Sequence, residues 1–305
     1  MKLCEAFIMS DRSNTKKRRR RLGDRKEGRR LRSIAPITRV ACCIMPTRTG
    51  ATNQMRDKFD VSAVERYVRE KKAEGMKNFT TMHVLLAAYV RTVSQMPALN
   101  RFIAGYKVFA RNDIQIALTI KKEMTLESPD TVIKLTTDPS ATAGDIYSAL
   151  QHEIDTYREQ KTGGLDKVVK VLNYIPGIML RGTINIIRFI DYMGLLPRFL
   201  TNVSPFHCSL YITSMGSLGI PPVHHHLYDF GTCPVFIAFG AKQRCYELNA
   251  EGETEKKEYV EYTVNMDERI CDGFYYAAAL KKLRRYLRDP WQLDNPPETV
   301  VEDID

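Results

Sequence analysis

The sequence predicts an α+β domain built on one large mixed β-sheet with flanking helices. Three observations carry this prediction. Segments rich in β-branched and aromatic residues at 114–120, 131–136, 209–214, 234–240 and 258–266 read as strands. Segments with apolar residues at helical spacing at 59–73, 82–95, 142–157 and 273–289 read as helices. The two kinds mix without regular strand–helix–strand repetition, which argues against a doubly wound parallel sheet. With 305 residues, 44% of them hydrophobic, the chain is long enough to bury a full core.

In chain order, residues 36–46 lie between two prolines and can form a short helix. The helix at 59–73 has Asp60 or Ser62 as cap, a Ser62-x-x-Glu65 capping box, and Val61, Val64 and Val68 at helical spacing; Gly75 ends it. Thr80 and Thr81 open the apolar helix at 82–95, which Pro97 stops. Thr142-x-x-Asp145 starts a helix with Ile146, Leu150, Ile154 and Tyr157 on one face. Residues 168–200 are very apolar but broken by Pro176, Gly177, Gly182 and Gly194, and they contain Arg181, Arg188 and Asp191. They are therefore no simple membrane span. A helical hairpin packed on the body or lining a hydrophobic pocket fits them, and so does interfacial membrane contact. The strand at 258–266 alternates cleanly, with Val260, Tyr262, Val264 and Met266 on one face. Gly273 opens a terminal helix with Tyr276, Leu280, Leu283 and Leu287 inward, closed by Asp289-Pro290.

Charge is concentrated at one end. Residues 1–33 hold 13 Lys or Arg against 4 Asp or Glu, so the other 272 residues carry only +1 of the net +10. The run Lys16 to Arg21 repels itself and reads as a solvated, disordered extension. Phosphate attraction through it is a secondary reading, and no aromatics interleave to stack bases. The short apolar stretch at 6–9 precedes the basic run, the reverse of a secretory signal. Seven cysteines (Cys4, Cys42, Cys43, Cys208, Cys233, Cys245 and Cys271) show no CxxC spacing, which argues against a disulfide framework or zinc site and for reduced thiols in the cytoplasm.

Residues 267–274 read Asp-Glu-Arg-Ile-Cys-Asp-Gly-Phe. This resembles the active-site signature shared by the catalytic domains of the 2-oxo acid dehydrogenase (dihydrolipoamide) acyltransferases, Asp-His-Arg-x-x-Asp-Gly, and by the chloramphenicol acetyltransferases, His-His-x-x-x-Asp-Gly. Asp267, Arg269, Asp272 and Gly273 match the first pattern; Cys271 and Phe274 match the second; Glu268 stands where both place the catalytic His. Further matches follow in order: Pro97, Leu99 and Asn100 after an apolar helix, the strand at 114–120, the segment at 210–219 (LYITSMGSLG) and the strand at 235–240. The resemblance covers roughly residues 35–290 and implies a chloramphenicol acetyltransferase-like two-layer sandwich. Residues 160–203 have no counterpart in it.

By that resemblance Glu268 occupies the base position, Asp272 supports the turn, and Thr213 or Ser214 supplies a hydroxyl to the oxyanion. Arg269 and Gly273 fall at substrate-binding positions, and His225 is a candidate for reaching the site. The family builds its site between the subunits of a trimer. An ordinary glutamate titrates about four units below a thiol, a gap of roughly 5 to 6 kcal/mol for proton transfer. A Glu base therefore requires a dry site; the other reading pairs Glu268 with an Arg and removes catalysis. His224, His225 and His226 are adjacent, so alternating side chains cannot all face one metal. No metal is expected. Cys271 reads as a packed thiol.

The expected organisation is a basic tail at 1–33, an acyltransferase-like domain at 34–292 with an apolar helical insertion at 160–203, and an acidic tail at 293–305. The expected function is a cytoplasmic, homotrimeric, stand-alone acyltransferase. It would pass an acyl group from acyl-coenzyme A to a small acceptor, without a lipoyl domain or covalent lipoate. The rival is a catalytically inactive trimeric binding or assembly protein of the same fold.

Overall fold

A computed structural model describes residues 20–121, 130–160 and 164–305. Among these residues are nine strands and eight α-helices. The main sheet has six strands in the order β2-β9-β8-β7-β5-β6: β2 (Thr52–Asp60), β5 (Ile114–Lys121), β6 (Asp130–Thr137), β7 (Leu210–Ser214), β8 (Val235–Leu248) and β9 (Thr254–Asp267). It is mixed, because β7 runs parallel to both β5 and β8 while the remaining pairs are antiparallel. A small antiparallel sheet joins β1 (Gly28–Arg30), β4 (Lys107–Arg111) and β3 (Arg101–Ala104). The helices are α1 (Pro36–Ile44), α2 (Ser62–Ala73), α3 (Thr81–Gln95), α4 (Ala143–Gln160), α5 (Gly164–Asn173), α6 (Gly177–Tyr192), α7 (Arg198–Val203) and α8 (Gly273–Arg288). The α+β class with a large mixed sheet is as the sequence predicts.

Strand alternation divides the side chains between two faces. Ile116, Ile212, Ile237 and Val264 point into the main core, where α3 and α8 pack. The predicted face of β9 (Val260, Tyr262, Val264 and Met266) lies wholly in this core. On the opposite face Ala117, Tyr211, Phe236 and Ala238 form a smaller cluster with Cys208, Leu227 and Cys233. The segment 219–229 crosses this second face. The backbone N–H of Ala241 donates to Ile220 O, and Thr263 Oγ1 donates to Val223 O at 2.6 Å. Pro222 presses so closely on Gly240 that a Cβ there would lie 2.5 Å from the proline ring.

Local chemistry explains the element boundaries. Thr80 and His83 form a reciprocal capping box at the start of α3. Thr142 and Asp145 exchange hydrogen bonds at the start of α4, at 3.2 and 2.9 Å. Gly194 follows α6 with φ +72; its N–H donates to Asp191 O and that of Leu195 to Ile190 O, a Schellman ending that only a left-handed residue permits.

Several expectations need correction. The helix expected at 59–73 begins at Ser62 because residues 52–60 form edge strand β2, paired with β9 throughout. No side-chain cap from Ser62 forms; Asp60 Oδ1 instead accepts from the Ser62 N–H at 2.8 Å. The basic tail expected at 1–33 falls partly on residues 1–19, outside the described residues, but residues 20–33 are part of the fold. Here β1 pairs with β4, Leu31 is buried, and Arg25 is buried against Glu27 and Asp191. The acidic tail at 293–305 also docks. Val301 N–H donates to Ser94 O at 2.8 Å, and Arg101 grips the Asp303 carboxylate with both Nε and Nη2. Arg29 donates to the carbonyls of Asp303 and Ile304. Among the described residues, Arg21 and Arg29 of the basic end pair with Asp305 of the acidic end.

His83 gives the fold a pH dependence. Its ring is buried, its Nδ1 accepts the Thr80 N–H at 3.0 Å, and burial pushes its pKa down to about 4. Between pH about 6.5 and about 4 the unfolded chain binds a proton that the folded chain excludes, so stability falls as pH drops through this window. The full effect is roughly 3 kcal/mol. Urea midpoints measured across the window should decline, and His83→Gln, which keeps an acceptor for Thr80, should flatten that decline.

Candidate active site

Strand β9 ends at Asp267, whose N–H donates to Pro234 O at 2.9 Å. The chain then turns sharply through residues 268–272 into α8. Asp267 is fully buried, and buried charge demands partners. Arg269 supplies a fork, with Nε to Oδ1 at 2.8 Å and Nη2 to Oδ2 at 2.7 Å. Its third donor, Nη1, reaches Met45 O just past α1 at 2.6 Å. Arg48, also buried, places Nε 3.5 Å from Asp267 Oδ2 and donates to Tyr228 O and Ile103 O. Burial works against the Arg269 charge, but the Asp267 carboxylate outweighs it and holds the pKa above its ordinary value. Burial presses that of Arg48 downward.

This arrangement fixes the turn and leaves Glu268 outside it. The Glu268 backbone N–H donates to Ala51 O at 2.9 Å, while its side chain is exposed and, among the described residues, in no ion pair. Asp272 is the N-cap of α8, its Oδ1 accepting from the Tyr275 N–H at 2.8 Å. Gly273 is the first helical residue, and Phe274 beside it is 88% exposed. Cys271 is buried against Met266, and burial pushes its thiol up to about 12, so it is no nucleophile.

Thr213 and Ser214 lie elsewhere. Thr213 pairs with Ala238 and Ala238 with Thr263; Ser214 pairs with Phe239 and Phe239 with Tyr262. Glu268 follows these β9 residues by five and six positions, which is roughly 17–20 Å along the strand. The hydroxyls and the carboxylate of one chain are therefore separated along the sheet by several residues of β9 and by the strands between β7 and β9. His225 lies between them on the second face. Its ring stacks on Phe236 at 4.1 Å, its Nδ1 contacts His226 O at 2.7 Å, and burial lowers its pKa. Among the described residues no three His, Cys, Asp or Glu side chains are placed to hold a metal.

Two features escape sequence reasoning. One is a cleft of about 420 Å³ beside the turn, walled by Arg48, Arg269, the β3–β4 turn at Gly105 and Tyr106, Asp229 and the end of α6; Glu268 is not in its wall. The other is Asn265, fully buried one alternation before Asp267, with no hydrogen-bond partner on either amide atom. The alternation of β9 does mark Thr263, Asn265 and Asp267 as a polar stripe. What it cannot reveal is that segment 219–229 covers that stripe.

No family model matches the chain, and no curated protein sequence matches it. Solved structures do. A probable dihydrolipoamide acetyltransferase from Listeria monocytogenes superposes with a TM-score of 0.52 at 14% identity, over 83% of this chain and 92% of the other. The Azotobacter vinelandii dihydrolipoamide acetyltransferase gives 0.52 at 12% identity, over 84% and 88%. A truncated catalytic core of the 2-oxoacid dehydrogenase multienzyme complex from Thermoplasma acidophilum gives 0.51 at 14%, over 85% and 98%. The chain has the fold of these acyltransferase cores.

Proposed function

We propose that the chain is an acyltransferase that takes an acyl group from a coenzyme A thioester and completes its site between subunits of a homotrimer. The observation that supports this reading is the separation of Glu268 from Thr213 and Ser214 along one sheet. A head-to-tail contact between copies can bring one chain's hydroxyl end against another's turn, and such heterologous contacts close into rings. Both ends carry exposed apolar surface suited to it. Ile37, Val40 and Ile44 on α1 and Phe274 lie in the elements that meet at the turn, and Leu218, Ile220 and Val223 follow Ser214.

In the assembled site Glu268 takes the proton from the acceptor nucleophile as it attacks the thioester carbonyl. A Thr213 or Ser214 hydroxyl from the neighbouring chain donates to the developing oxyanion, and the coenzyme A thiolate departs. Burial by the neighbour would supply the dry surroundings that a carboxylate base needs. Asp272 and Arg269 act as positioning residues, one capping α8 and the other clamping Asp267. The exposure of Glu268 in the single chain favours a second reading, in which the trimer forms but transfers nothing.

Three measurements test the assembly, the chemistry and the turn, and the consumption of thioester separates the two readings. Light scattering should give three times the monomer mass, and Ile37→Glu with Ile44→Glu should reduce it. Glu268→Gln should leave the urea midpoint unchanged within about 0.5 kcal/mol, since the side chain is exposed and unpaired, yet abolish coenzyme A release from acetyl-coenzyme A. A trimer in which the wild type consumes no thioester would establish the inactive reading. Asp267→Asn should instead lower stability by about 3 to 5 kcal/mol, because two buried guanidinium groups lose their counter-charge.

A further inference from the structure

Residues 168–203 present far more apolar surface than the rest of the chain. Of the twenty-five exposed large hydrophobic side chains among the described residues, eleven fall between Val169 and Phe199. Helix α6 shows how this arises. Thr183, Ile184 and Ile187 are half-buried, and Asp191 is held at the base by Arg25 and His207. At 100° per residue, Ile178, Ile186, Phe189 and Met193 fall on a different side, and all four are exposed. Arg181, Asn185 and Arg188 form an exposed stripe along the edge of that apolar side. Met179, Tyr174, Leu195 and Phe199 extend the apolar area at the two ends of α6.

The charges of this surface are of one sign. Lys170, Arg181, Arg188 and Arg198 are exposed, whereas the one acidic residue between 168 and 203, Asp191, is buried and paired. An identical copy facing this patch would meet four like charges, so self-association is disfavoured. An anionic lipid surface meets both requirements: acyl chains accept the Ile, Phe and Met side chains, and headgroup phosphates accept the guanidinium groups at their edge. Tyr174 and Tyr192 suit the boundary between the two. No helix among the described residues is long and apolar enough to cross a membrane, so the fitting geometry is a helix lying in the interface.

We infer that residues 168–203, which span the end of α5 and all of α6 and α7, form a docking surface for anionic phospholipid membranes. The inference is independent of the acyltransferase reading, because none of these residues belongs to the turn or to its hydroxyl partners.

The test is co-sedimentation of the full chain with vesicles of phosphatidylcholine alone or with roughly 30% phosphatidylglycerol. Binding is expected to the anionic vesicles only and to weaken by at least about tenfold in about 0.5 M salt. The exposed substitutions Ile178→Glu with Phe189→Glu, and separately Arg181→Glu with Arg188→Glu, should each abolish binding while the circular dichroism spectrum and urea midpoint stay unchanged. The absence of wild-type binding to anionic vesicles would overturn the inference. So would binding that survives both variants but disappears when residues 1–22 are removed. A wild-type oligomer that dissociates in the Ile178→Glu, Phe189→Glu variant would assign the surface to a second copy instead.

Discussion

The buried charge of Asp267 is the constraint on which the rest of the site depends. A carboxylate removed from water must find cations and donors, and here it gathers Arg269 from its own turn and Arg48 from the segment after α1. Each of those guanidinium groups spends its remaining donors on carbonyls elsewhere: Met45, Tyr228 and Ile103. One charge therefore ties together the end of β9, the start of β2, the β3–β4 hairpin and the loop over the second face. Fork geometry makes Arg269 poorly replaceable by Lys, whose ammonium cannot offer the same planar pair of bonds. The outward direction of Glu268 follows, because its neighbours on both sides are pinned inward.

The same sheet that positions Glu268 keeps it from its partners. Strand β7 runs parallel to β8, so its end carrying Thr213 and Ser214 lies beside Ala238 and Phe239, several residues along β8 from the turn. No rotamer change spans that gap. The proposed site between two chains would meet this separation without rearranging the fold, and it would bury a carboxylate that is exposed in the single chain.

Much of this was legible in the sequence. The period of two in β9 and the period of 3.6 in α8 reported burial directly, and the unbroken apolar run of α3 matches a helix buried all round from His83 to Ser94. The signature turn was legible because Asp267, Arg269, Asp272 and Gly273 each serve local geometry: a buried anion, its fork, a helix cap and a first helical residue. Other elements were not. Strand β2 reads Thr-Asn-Gln-Met-Arg-Asp-Lys-Phe-Asp, with few apolar positions, because an edge strand needs little more than backbone partners. Arg269 stands at a substrate-binding position by resemblance, and in the structure it clamps Asp267 and also lines the cleft beside the turn, two contacts that sequence spacing does not distinguish. The burial of Asn265 depended on a loop 40 residues distant and left no local mark.

The two exposed apolar surfaces differ in charge, and that difference separates their roles. Around α1 and Phe274 the exposed charges are of both signs, Arg39 on the helix and Glu268 and Asp272 on the turn. Along α6 every exposed charge is basic, and the neutralising acid has been drawn inward to Arg25 and His207. Burying Asp191 serves two ends at once. It anchors the base of the helix to the body, and it leaves no exposed acid between residues 168 and 203. Four cations edging an apolar face make a surface that water and an identical copy both satisfy poorly.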